Sequence, residues 1–236
     1  MRMPRTYIFF ISILFSCFIN GQENAKVNAI DTLPPSEKYG IRLGVDLARF
    51  VRTAVNDDYS GFEVVADYRI YKKFFIAAEL GNESLIRKEP NINVKGSGSY
   101  IRLGFDYNAY QNWYGMQNSI YAGLRYGFST FDQTLNSYRV FTSTDYFPTN
   151  EITDSKKSKD LTAGWVELVF GLKVELIKNL YLGASVSIRN MTNEEKPDGF
   201  DNLFIPGFGR NNDFSEFGIG YNYSISYLIP FYKKKR

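Results

Sequence analysis

Val166-Glu167-Leu168-Val169-Phe170-Gly171-Leu172-Lys173-Val174-Glu175-Leu176-Ile177-Lys178-Asn179-Leu180-Tyr181-Leu182-Gly183-Ala184-Ser185-Val186-Ser187-Ile188 reads as two strands joined by a tight turn. Successive side chains on a strand point to opposite faces. Val166, Leu168, Phe170, Leu172, Val174 and Leu176 therefore share one face, while Glu167, Lys173 and Glu175 share the other. After Ile177, Lys178 and Asn179 the pattern resumes with Leu180, Leu182, Ala184, Val186 and Ile188 on the apolar face. Working outward, the same alternation recurs over Tyr39–Leu47, Phe62–Ile70, Phe74–Leu80, Ile101–Tyr107, Ile120–Phe128 and Phe217–Phe231. Although 22% of the chain is charged, the apolar row of all eight stretches carries no charge at all. Each stretch is a strand with one purely apolar face.

Residues 1–21 have the form of a secretory signal: Arg2 and Arg5, an apolar run from Tyr7 to Ile19 broken by Ser12 and Ser16, and cleavage expected after Gly21. A competing reading makes Leu14–Cys17 a lipoprotein box, which Phe15 fits poorly. Cys17 is the only cysteine, so loss of the signal leaves a chain without disulfides. Residues 22–37, ending near Pro34 and Pro35, lack periodicity and read as a flexible arm, followed by a barrel domain over 38–232 and a basic tail over 233–236. A net charge of +3 is too small to imply nucleic acid, and no later segment is apolar for long enough to cross a membrane as a helix.

The connectors alternate in length. Tight or modest turns are expected at 71–73, 108–118 and 177–179, and longer loops at 51–60, 83–98, 130–160 and 191–213. That asymmetry, with an even strand number, points to an all-β, eight-stranded, antiparallel up-and-down transmembrane β-barrel, closed and filled by side chains. A soluble lipocalin-like barrel would turn its apolar row inward and its polar row to water. The polar row contains Gly44, Gly81, Gly104, Gly123, Gly127, Gly171, Gly183, Gly218 and Gly220. Glycine weakens a solvated strand but makes room in a narrow lumen, which favours the apolar row outside, against lipid. Aromatic residues near segment ends, including Tyr39, Tyr71, Phe74, Tyr107, Trp113, Tyr114, Phe128, Phe217 and Phe231, suit interfacial girdles.

The inward row then carries Arg42, Asp46, Glu63, Asp67, Arg69, Glu79, Arg102, Asp106, Arg125, Glu167, Lys173, Glu175, Arg189 and Glu216, six basic and eight acidic groups. Charges withdrawn from water need partners, so a self-paired lumen network is expected, with an ion path as the functional alternative. Ile41-Arg42-Leu43-Gly44-Val45-Asp46 echoes Ile101-Arg102-Leu103-Gly104-Phe105-Asp106, and the Arg of one copy is placed to face the Asp layer of the other. The chain has no histidine, which removes His-dependent acyl transfer, and neither a catalytic site, a cofactor nor a metal is expected. Glu194, Glu195, Asp198 and Asp201 are oxygen donors of the kind calcium takes, but acidic loops are usually solvated.

In the loop over 191–213, Leu203, Phe204, Ile205, Pro206 and Phe208 form an apolar run that either closes over the barrel mouth or offers a partner-binding surface. The loop over 130–160 has Phe141, Tyr146 and Phe147, then Ser155, Lys156, Lys157, Ser158 and Lys159, whose lysines suit lipopolysaccharide phosphates or solvent.

The last strand, with Tyr223, Ile225, Tyr227, Ile229 and Phe231, resembles the C-terminal strand of Gram-negative outer-membrane barrels, apart from the added Tyr232-Lys233-Lys234-Lys235-Arg236. In hairpin count, loop asymmetry and this strand, residues 38–232 resemble the small eight-stranded outer-membrane barrels of the OmpA-barrel and OmpX kind, and most of all an uncharacterised outer-membrane β-barrel family. The resemblance implies an outer-membrane location with both termini periplasmic, and partners among outer-membrane lipids, lipopolysaccharide and other outer-membrane proteins or lipoproteins. The expected function is non-enzymatic, as a structural element or a subunit of an outer-membrane complex for protein assembly or surface export. The alternatives are a small ion-conducting pore and an adhesin-like protein that binds through its loops.

Overall fold

The computed structural model describes residues 36–110, 117–140, 151–153, 155–210 and 215–235. The expected signal, almost all of the arm, Trp113, Tyr114, Phe141, Tyr146, Phe147 and Arg236 lie outside the described residues. Eight long strands form the ring: β1 (Ser36–Asp46), β2 (Tyr59–Tyr71), β3 (Phe74–Glu89), β4 (Ile92–Asn108), β5 (Ser119–Arg139), β6 (Lys156–Ile177), β7 (Leu180–Glu194) and β8 (Phe217–Lys235). Each pairs antiparallel with its neighbours in sequence, and β1 pairs with β8 to close the circle. This is an all-β up-and-down barrel.

The turn end of the ring is built as expected. Lys72 and Asn179 sit at φ 38° and 69°, the left-handed conformation that two-residue hairpin loops demand. Ser36 opposes Lys235 at this same end, so Lys233–Lys235 belong to β8 instead of forming a free tail, and Ser36 and Glu37 belong to β1 instead of the arm.

At the other end the strands run well past their expected limits. β3 continues to Glu89 and meets β4 again at Ile92, so most of 83–98 is a hairpin. β5 reaches Arg139, β6 starts at Lys156, and β7 reaches Glu194, which draws much of 130–160 and the start of 191–213 into the ring. The reason is visible along β5. From Ile120 to Phe128 its outward residues are apolar, with Leu124 58% exposed, and its inward residues include the buried Tyr121 and Arg125. Past Ser129 the facing is unchanged but the chemistry inverts, with Thr130, Asp132, Thr134 and Asn136 outside and Phe131 and Leu135 buried inside.

The ring thus has two storeys. The lower one, near the turns, is apolar outside and charged inside. In the upper one Tyr100, Phe131, Leu161, Ala163, Trp165, Met191, Ile205 and Phe208 form an ordinary apolar core.

Two further departures come from local chemistry. Leu47 does not extend the first strand; it starts a helix, α1 (Leu47–Val55), where a loop is expected over 51–60. Asp46 caps it by accepting the Ala48 N–H at 2.8 Å. Tyr39, expected on the outer row, is 4% exposed, because the β1–β8 register shifts between Tyr39 and Gly40. Its ring stacks on Tyr232 at 5.1 Å.

A β-carbon added at Gly127 would land on the Trp165 indole, which is itself fully buried. We expect Gly127→Val to destabilise the barrel by about 1–3 kcal/mol through overpacking, read as a lowered urea midpoint. The outward Thr130→Val should leave that midpoint nearly unchanged.

Candidate functional site

Of the charged residues assigned to the inward row, Arg42, Asp46, Glu63, Asp67, Arg69, Glu79, Arg102, Asp106, Arg125, Glu167 and Arg189 are buried, and Lys173 and Glu175 are half-buried inside the ring. Glu216 is the exception. The chain bends there before β8 begins at Phe217, so the strand's alternation does not reach it, and its side chain is exposed.

The buried charges form two clusters. In the larger, Arg125 bridges Asp106 at 3.2 Å and Glu79, and Arg102 bridges Glu79 at 2.7 Å, Glu63, and Glu167 at 3.4 Å. Glu167 also holds Arg189 at 3.0 Å and accepts the Trp165 indole N–H at 2.7 Å. Nearer the turns, Asp67 sits between Arg42 at 2.7 Å and Lys173 at 2.6 Å. Below it Lys38 bridges Glu175 at 3.2 Å, and the Arg69 guanidinium lies 4.9 Å from the centre of the Phe75 ring. The two echoed hexapeptides do not face each other. β2 and β3 separate β1 from β4, and Arg42 takes Asp67 while Asp106 takes Arg125.

Two partners were not anticipated from sequence. Arg49 projects from α1 into the barrel and bridges Glu63 at 2.9 Å, Glu83, and Asp46 at 3.5 Å. Glu83 was assigned to a loop. It is buried on β3, where it accepts the Tyr59 hydroxyl at 2.5 Å and the Gly207 N–H at 2.7 Å. The signal for α1 was present: Leu47, Phe50, Val51, Ala54 and Val55 recur at i, i+3, i+4, i+7 and i+8 behind a capping Asp46. That phase leaves Arg49 on the opposite, inward face.

Of the two alternatives for the apolar run of the 191–213 loop, its burial agrees with closure over the barrel mouth. Phe204, Ile205, Pro206 and Phe208 are buried, and Leu203 is half-buried. Phe204–Ile205 pairs with Gly209–Arg210 in a short hairpin that fills the upper mouth, and Phe208 meets Trp165 edge-on at 5.8 Å. Polar side chains anchor it. Gln133, fully buried, donates to the Asp201 carbonyl at 2.9 Å and accepts the Leu203 N–H at 3.2 Å, while Arg189 donates to the Phe208 carbonyl at 2.8 Å. Gly207 and Gly209 hold φ of 82° and 107°, which L side chains rarely adopt.

Around this centre, Lys157 pairs with Asp132 at 2.8 Å and Lys156 donates to the Asp198 carbonyl at 2.7 Å. The hydrogen bond from Lys157 holds the half-buried Asp132 carboxyl below its ordinary range. Lys196 links Glu194 at 3.7 Å to Asp201 at 2.8 Å. Among the described residues no group of His, Cys, Asp or Glu is arranged to hold a metal ion.

The lower lumen is close-packed. Cavities beside the network measure about 10 and 20 Å³, room for about one water each. A space of about 630 Å³ lies at the upper end between α1, β8 and the hairpin. Every buried carboxylate of the larger cluster has a guanidinium beside it.

Removing one member of a buried pair strands its partner and costs about 3–5 kcal/mol. We expect Arg102→Met, which leaves Glu63, Glu79 and Glu167 to Arg49, Arg125 and Arg189 with one positive charge fewer among them, to destabilise the barrel by an amount of this order, read as a lowered urea midpoint. Glu216→Gln should behave as the parent does.

No curated protein matches the chain. A family model described as a domain of unknown function, DUF6048, matches residues 4–234 and so covers the whole ring; the chain belongs to the DUF6048 family.

Proposed function

We propose that this chain is a non-conducting outer-membrane β-barrel of a Gram-negative bacterium, acting as a structural element or as a subunit of an outer-membrane complex. The observation that carries the reading is the inversion between storeys. Below it, the outer row of Leu80, Leu103, Phe105, Ile120, Leu124, Leu168, Phe170 and Val186 is exposed on a wall whose inner face holds the buried charges. Water is the wrong solvent for such a wall and lipid the right one. Above it, the outer row is polar and the core apolar, as in a domain standing in water.

The helix agrees with this level. Phe50, Val51 and Val55 are exposed on one side of α1 while Arg49 is buried on the other, the habit of a helix lying at a bilayer surface. The basic, apolar residues 1–21 supply an export signal for such a barrel. The packed lumen supports a wall without an ion path, and the sealed mouth leaves the outer wall and the upper rim as working surfaces.

Leu124→Arg, in the middle of the apolar band, should cost about 2–4 kcal/mol in lipid vesicles, whereas Thr134→Arg in the upper storey should cost about 0–1. Equal tolerance of both would remove the bilayer from the account, as would recovery of the protein outside the outer-membrane fraction on density gradients. Purification from gently solubilised membranes should bring down stoichiometric partners; a barrel recovered alone would leave only the structural role.

A further inference from the structure

The ring is not closed over its full height. Pairing of β1 with β8 ends at Asp46 and Ser224, and pairing of β1 with β2 ends at Val45 and Val64. β2 and β8 run on above that level to Tyr59 and Phe217 with no strand between them among the described residues.

The two edges differ. On β2, the Thr53 hydroxyl of α1 accepts the Gly61 N–H at 3.0 Å and donates to the Gly61 carbonyl at 3.2 Å, replacing a strand residue. On β8, Asp46 accepts the Tyr223 N–H at 3.3 Å, and above that point no strand among the described residues pairs on this side. Main-chain groups of alternate residues face the same way. Ile219 and Tyr221 therefore turn their N–H and C=O to the side of Tyr223, away from β7. The Glu216 carbonyl, on the other parity, accepts the Met191 N–H of β7 at 2.9 Å.

The 630 Å³ cavity lies along this edge. Its lining includes the outward Ile219 and Tyr221 and the inward Gly218 and Gly220, so it occupies the plane of the wall, where an upper half of β1 is missing. The rim of the slot on β8 carries Ile219, the most exposed large apolar side chain described, at 79%.

An acyl chain can cover such a rim but offers the edge no hydrogen bonds, and an unmet backbone group in lipid costs several kcal/mol. Water meets the backbone and leaves the rim bare. An extended peptide does both. The cavity is also lined by three guanidiniums, Arg49, Arg52 and Arg189, against two carboxylates, Asp46 and Glu83. Arg52 lies 3.8 Å from the Tyr59 ring centre and has no carboxylate partner among the described residues.

The geometry points to strand addition: the edge Phe217–Tyr223 takes an extended segment of a partner protein. That segment carries apolar residues outward beside Ile219 and Tyr221 and an acidic residue inward toward Arg52. The inference deepens the subunit reading above and rests on its apolar surroundings for the edge.

The test uses the full chain folded in detergent micelles and a labelled eight-residue peptide alternating valine with serine, one central serine replaced by aspartate, followed by fluorescence anisotropy. Saturable binding is expected. N-methylation of the peptide at alternate residues, which removes its donors to the edge, should weaken it at least tenfold. Ile219→Pro should do the same, since it deletes an edge N–H and no β7 ladder bond. Arg52→Gln should weaken the aspartate peptide and spare its asparagine counterpart. Equal binding of the methylated and unmethylated peptides, or no binding at millimolar peptide by a barrel that still shows its heat-modifiable compact band on gels, overturns the docking edge. The methylated peptide is read on the parent protein, so a folding failure of Ile219→Pro does not decide the matter. Membrane fractionation of the same protein is scored separately, and a membrane-bound barrel that ignores the peptide refutes strand addition while the bilayer reading stands.

Discussion

A charge withdrawn from water must find an opposite charge, and most of this molecule is arranged around that requirement. Arg102 alone touches Glu63, Glu79 and Glu167, residues of three different strands, and cannot do so unless the ring is closed. The glycines of the inward row follow from the same need: a side chain at Gly220 would collide with Arg189, and one at Gly127 with the Trp165 that hydrogen-bonds Glu167. With charge gathered inside, the outer face of the lower storey is left to aliphatic and aromatic residues. The apolar wall and the ionic lumen are one solution seen from two sides.

The strands, their facing and the inward charges were legible because a period of two is a strong signal when one row excludes charge altogether. The strand limits were not, because the outer row was followed as an apolar row. Past Ser129, and past Leu80 on β3, the alternation persists with its chemistry reversed, and polar outward residues such as Asn82 and Ser84 read as loop. The helix was hidden for a related reason. Leu47 continues the apolar parity of β1, so the switch from a period of two to one of 3.6 falls on a residue that satisfies both. Glu83 and Arg49 were lost with these limits. The burial of Phe204, Ile205 and Phe208 depends on Gln133 and Arg189, more than fifty and about twenty residues away in sequence, and no local pattern announces such anchors.

On the bilayer reading, the two storeys divide the labour. The lower holds the ring in place with its charges locked together. The upper is where variety enters: a capped helix, a hairpin tucked into the mouth, and an interrupted seam between β1 and β8. At that seam the pairing of β1 stops below the ends of its neighbours, and it adjoins the 630 Å³ cavity.

On the same bilayer reading, the inversion along β5 also fixes depth. A strand of uniform character slides in a bilayer at little cost, as a smooth post does in mud. Here a shift of two residues, about 7 Å, would carry Thr130 and Asp132 into hydrocarbon or lift Phe128 and Tyr126 into water. The reversal acts as a waterline painted on the hull, and every neighbouring strand that repeats it draws the same line around the barrel. On the bilayer reading the end with the short turns is the one suited to cross lipid first, so the polarity that sets the depth also sets the direction from which the barrel goes in.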